Sequence, residues 1–92
     1  MIKSFSHKGL ERYFIQGDKR GIPAQSAARI ERILDRLDAS IKAEDMDLPG
    51  YKFHPLKGDR AGEFAVSVTG NLRITYQFEQ QQASHVNLED YH

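Results

Sequence analysis

The sequence contains no cysteine. That excludes disulfides, thiol nucleophiles and cysteine-based zinc sites together, and it fits a reducing cytoplasm without requiring one. Long apolar runs are missing as well. The opening MIKSFSHKGLERYF falls far short of the roughly 20 apolar residues of a membrane helix, so neither a signal peptide nor a membrane span is expected. Net charge is absent too, with 13 Lys and Arg against 13 Asp and Glu. His7, His54, His85 and His92 show no paired spacing of the kind that builds a zinc site, and no serine sits in a nucleophile elbow. Repeats, linkers and heptads are lacking. The expectation is a soluble protein with no cofactor and no metal.

What remains is a chain of 92 residues, read as a single domain over 1–92 with a modest core. Its charge is unevenly spread. From Met1 to Pro23, five basic residues face two acidic ones; from Tyr51 to Arg73, four face two. Between them, from Ala24 to Gly50, six acidic residues face four basic ones. The two basic segments could fold into one anion-attracting face.

The apolar pattern changes period along the chain. Ser6 is the expected N-cap of a first helix, with Leu10 and Phe14 on one face and Gly17 at its end. Pro23 suits the first turn of a second helix, in which Ala27, Ile30, Leu34, Leu37 and Ile41 form an apolar stripe. Glu31, Arg32, Asp35, Arg36 and Asp38 fall on its solvated side. Tyr13 and Phe14 read as core packing. Pro49 and Gly50 start a loop, and the period then becomes two. Phe64, Val66 and Val68 alternate with polar or small residues, as do Leu72, Ile74, Tyr76 and Phe78. A turn at EQQQ leads to a last strand, SHVNLEDY. The fold class is therefore α+β, two N-terminal helices packed on one face of a small antiparallel meander.

That layering puts Arg73 on the sheet face away from the helices, on an open concave surface. The densest chemical stretch is KFHPLKGDRAGEF, with Lys52, His54, Lys57, Asp59 and Arg60 around a proline and two glycines. Its cations could hold phosphates, although a solvated hairpin loop has the same composition. His54 could move a proton near neutrality, or simply sit at the surface. Arg73 could stabilise an anion, or serve as a cross-strand partner of Glu89 or Asp90. The chain finishes on Asp90, Tyr91 and His92, three proton carriers where polar terminal residues are also ordinary. By strict alternation Tyr91 points away from Asp90 and His92, so all three converge only if the chain leaves strand geometry.

Taken together, YKFHPLKGDRAGEFAVSV, NLRITYQF and LEDYH, after MIKSFSHKGL and GIPAQ, closely resemble the HigB (host inhibition of growth, or plasmid-maintenance killer) toxins of the RelE superfamily. Essentially the whole chain takes part. The resemblance implies a compact RelE-like microbial RNase fold and a metal-independent endoribonuclease that cuts mRNA in the ribosomal A site. It also implies a HigA-like helix-turn-helix antitoxin as partner, with operator DNA met only through that antitoxin, and no membrane. Carried over residue by residue, the family's functional positions fall on His54, Lys57, Arg73, Asp90, Tyr91 and His92, with Arg60 added from the same basic loop. Two positions depart: Glu63-Phe64 stands where an aromatic pair is frequent, and Leu72 where a tryptophan often precedes the strand arginine. Cutting RNA without a metal means activating a 2′-OH, offsetting phosphate charge and protonating the departing 5′-oxygen. His54, Asp90 and His92 are the candidate proton carriers, with the base and the acid among them left open, Arg73 and Lys57 the candidate phosphate ligands, and Tyr91 a donor or stacking group. Two other functions fit the same sequence: a non-catalytic poison of a protein such as DNA gyrase, as in the related ParE toxins, or a plain RNA-binding module.

Overall fold

The computed structural model describes residues 1–91. Helix α1 spans Lys8–Gln16 and helix α2 Ala27–Ala39; strands β1 His54–Pro55, β2 Phe64–Ser67, β3 Leu72–Glu79 and β4 Gln82–Asp90 follow. They form one antiparallel sheet in the order β1-β2-β3-β4. This is the α+β meander that the change of period predicts.

Details differ from the sequence pattern for identifiable reasons. The cap of α1 is His7, whose Nδ1 accepts from the Leu10 amide at 3.0 Å. Ser6 does not cap, because its own amide donates to the Val86 carbonyl at 2.8 Å and belongs to a strand pairing. Gly17 ends the helix as expected, in the left-handed region at φ 72°. Pro23 precedes a 3-10 turn, Ala24–Ser26, which runs into α2. The stripe Ala27, Ile30, Leu34 and Leu37 is buried and joined by Ile33, but Ile41 is 59% exposed. Ser40 is already extended, so the helical period has stopped before Ile41.

Behind the sheet, α1 and α2 enclose Leu10, Tyr13, Ile30, Ile33, Leu34 and Leu37 against Val66, Ile74, Tyr76 and Val86. Buried hydroxyls are satisfied by backbone: Tyr13 donates to the Ala27 carbonyl at 3.0 Å and Tyr76 to that of Ala43 at 3.2 Å. Phe14 packs on Phe5 within this layer, as a core residue.

The first residues were not legible as structure. Ile2 and Phe5 bridge in parallel to Ala83 and Val86, so the N-terminal segment covers the outer edge of β4. The two basic segments therefore do not begin side by side: the first starts along β4, while the loop of the second borders β1 at the opposite edge. Lys3 pairs with Glu79 and Arg20 with Asp18 instead.

One irregularity fixes which residues face the open side. Thr75 pairs with Asn87, but Gln77 pairs with Ser84, so β4 carries an extra residue opposite Tyr76. His85 takes a left-handed φ of 51° at this bulge. The bulge lets Ala83 and Val86, three residues apart, both reach the core. Past it, Asn87 and Glu89 align with Thr75 and Arg73 on the open face, while Leu88 lies opposite Ile74 on the helix side. A regular register would set Leu88 against Arg73.

Candidate active site

Directly paired residues of an antiparallel sheet share a face. His54, Ala65, Thr75 and Asn87 thus form one row across the open face, and Ser67, Arg73 and Glu89 the next. From strand and residue spacings, the backbone of His54 lies on the order of 12 Å from that of Arg73, within reach of one RNA phosphate held between their side chains.

Arg73 does not stand free on this surface. Its Nε donates to Glu89 Oε1 at 3.1 Å, Nη2 lies 3.1 Å from the same oxygen, and its side chain is only 15% exposed. The Tyr91 ring lies under the guanidinium, 4.3 Å from its carbon. Glu89 holds more than Arg73. Arg60 grips it with both Nη atoms, at 3.1 and 2.5 Å, and the Thr75 hydroxyl donates to it at 3.2 Å. Arg60 also binds Glu63, through Nε at 3.2 Å and Nη2 at 2.8 Å. Because Glu63 leads into β2 and Glu89 lies on β4, Arg60 spans the sheet above β3. The hydrogen bonds from Arg60, reinforced by those from Arg73, hold the Glu89 carboxyl down at about 2 against the opposing effect of its burial. Glu89 and Glu63 in turn push the Arg60 guanidinium up.

His54 is exposed at the end of its row, with Nδ1 3.0 Å from the Lys52 carbonyl. A carbonyl only accepts, so Nδ1 carries the hydrogen, and in the neutral ring Nε2 is left as the acceptor. Lys52 turns through a left-handed φ of 51° to present that carbonyl. Lys57 is exposed just before the 3-10 turn Gly58–Arg60, in the loop that carries Arg60.

Asp90 and Tyr91 separate as alternation requires. Tyr91 goes with Arg73. Asp90 pairs across from Leu72, on the helix side, and accepts from Asn71 Nδ2 at 3.1 Å. There it lines a groove of about 300 Å³ with Pro23, Gln25, Ser26, Thr69, Asn71 and Leu72. His92 lies outside the described residues. The structure thus brings His54, Arg60, Arg73 and Tyr91 to one face and Asp90 to the other. Sequence reasoning had Glu89 only as a possible partner of Arg73, and Glu63 only as a departure from a family pattern. Their spacing to Arg60 and Arg73 held the signal, but the bulge at His85 hid the register.

The sequence model of HigB-like toxins, described as RelE-like toxins of type II toxin–antitoxin systems, matches residues 3–92. The chain is 46% identical to the endoribonuclease HigB of Proteus vulgaris over 92 residues, covering all of both chains. It belongs to the HigB-like toxin family. In fold it is similar to a YoeB/ParE toxin from Agrobacterium tumefaciens, with a TM-score of 0.57 at 18% identity, covering 100% of this chain and 99% of that one. The RelE-like α+β architecture expected of the toxin is therefore present, and a type II toxin implies a protein antitoxin as its partner. Among the described residues no helix is long and apolar enough to cross a membrane.

Proposed function

We propose that this toxin is a cytoplasmic endoribonuclease that enters the ribosomal A site and cuts mRNA there without a metal, so arresting translation. A HigA-like helix-turn-helix antitoxin neutralises it and supplies its only link to operator DNA. The observation that carries the reading is the immobilised guanidinium of Arg73 on the same open face as His54. The 2′-oxygen attacks the adjacent phosphorus as the bond to the 5′-oxygen breaks, leaving a 2′,3′-cyclic phosphate and a 5′-hydroxyl. His54 takes the 2′-OH proton on Nε2, the nitrogen that the Nδ1 hydrogen bond to the Lys52 carbonyl leaves as acceptor in the neutral ring. Arg73 offsets the charge that develops on the phosphate oxygens, helped by the exposed Lys57. Tyr91 stacks or donates, and the acid's part falls to His92, since Asp90 pairs across from Leu72 on the helix side. Arg60, held by two carboxylates, has less to offer a phosphate than Lys57.

Dependence on the ribosome is supported by electrostatics. The chain is neutral, and the two arginines of the open face are matched by Glu63 and Glu89. Such a surface attracts free RNA weakly, since that attraction comes mostly from uncompensated cations. The test compares cleavage of one mRNA on programmed ribosomes and in free solution at physiological salt. Cleavage much faster on the ribosome is expected; equal rates would remove the ribosome from the account. With a short RNA substrate, EDTA is expected to leave the slow rate unchanged, and loss of cleavage restored by a divalent ion would overturn metal independence.

A further inference from the structure

We propose that Glu89 is a positioning residue with two effects: it orients Arg73 for the scissile phosphate, and it screens Arg60 and Arg73 so that free RNA is not held outside the ribosome. The inference rests on the nuclease reading above. Its basis is the convergence of three donors on one carboxylate. Arg60 binds both oxygens, Arg73 binds Oε1 through Nε and Nη2, and the hydroxyl of Thr75 binds Oε2. Thr75 is 1% exposed, so the carboxylate is anchored from the buried floor of the sheet. The Glu89 side chain is 20% and that of Arg73 15% exposed, so this pair is the less screened of the two, Arg60 being 36% exposed. Tyr91 under the guanidinium fixes the plane of Arg73, while Glu89 fixes its rotation within that plane. Two arginines and two glutamates then sum to zero on the open face.

The two effects separate in two variants. Glu89→Gln keeps the shape but removes the charge. It is expected to lower kcat on programmed ribosomes roughly 10- to 100-fold, the size of loss that a misaligned catalytic group produces. The same variant is expected to bind a short single-stranded RNA with a 2′-deoxy scissile position several-fold more tightly. Its log–log salt slope should also steepen by about 0.7 for each further phosphate that the freed cations neutralise. Glu89→Asp keeps the charge but is one methylene shorter, so it should lose rate while binding that RNA as the parent does. A merely structural carboxylate would weaken RNA binding in step with stability, with no tightening in either variant. If Glu89→Gln fails to fold, the rate and affinity of Glu89→Asp decide. Parent-like kcat in both variants, or no tighter RNA binding by a folded Glu89→Gln, overturns the inference. Absence of cleavage by the parent toxin on ribosomes would instead sink the nuclease reading, and this inference with it.

Discussion

A carboxylate ringed by Arg60, Arg73 and Thr75 has to stay ionised for the ring to hold. The ordinary value of Glu89 is 4.5, and its folded value is about 2, lowered first by the hydrogen bonds of Arg60. A depressed carboxyl contributes stability above its unfolded value and loses it as pH falls toward its folded one. The ring should therefore stabilise the fold fully at neutral pH and progressively less from about 4.5 down to about 2. Urea unfolding of the parent and of Glu89→Gln across that range should show a stability gap that narrows as pH falls. A gap unchanged from neutrality to pH near 2 would mean that ionisation of Glu89 contributes nothing to folding. At this scale the sequence named the cations but not their arrangement. Arg73 was legible from alternation, and Tyr91 from the end of the chain. Glu89 could not be chosen over Asp90, because which of them faces Arg73 depends on the bulge.

Element by element, the period of the apolar residues carried most of the architecture, and local backbone geometry supplied the rest. The stripe through Ile30, Leu34 and Leu37 and the alternation through Leu72, Ile74 and Tyr76 came straight from side-chain direction. The pairing of residues 2–6 with β4 did not, since a short segment before a helix has no period to read. A close backbone crossing between α1 and the loop before α2 was equally silent. A Cβ built on Gly9 would stand 2.4 Å from the Gly21 carbonyl oxygen, and one on Gly21 would stand 2.6 Å from the Gly9 Cα. Neither contact can yield by rotating a side chain. Gly9→Ala is therefore expected to cost about 1–3 kcal/mol, as overpacking does, and to lower the thermal midpoint by several degrees. Calorimetry giving an unchanged midpoint would show that α1 can shift freely at this crossing.

For the molecule as a whole, the sheet offers two unlike sides at the end of β4. One carries the arginines, Tyr91 and His54; the other carries Asp90 in the groove beside Asn71 and Leu72. On the proposed reading, the balanced charge, 13 against 13, gives the chain little general attraction for free RNA and leaves delivery of the strand to the ribosome. The central claim is that this toxin cuts mRNA during translation and that Arg73 stabilises the charge of the reaction. Mapping mRNA 5′ ends after brief induction of the parent and of Arg73→Ala at equal expression tests it most directly. The parent should produce new 5′-hydroxyl ends inside coding regions, at a constant position within the codon. The variant should remain folded and yield those ends at a rate about two to three orders of magnitude lower. Growth arrest by the parent without new ends, or ends equally abundant in the variant, would contradict the account.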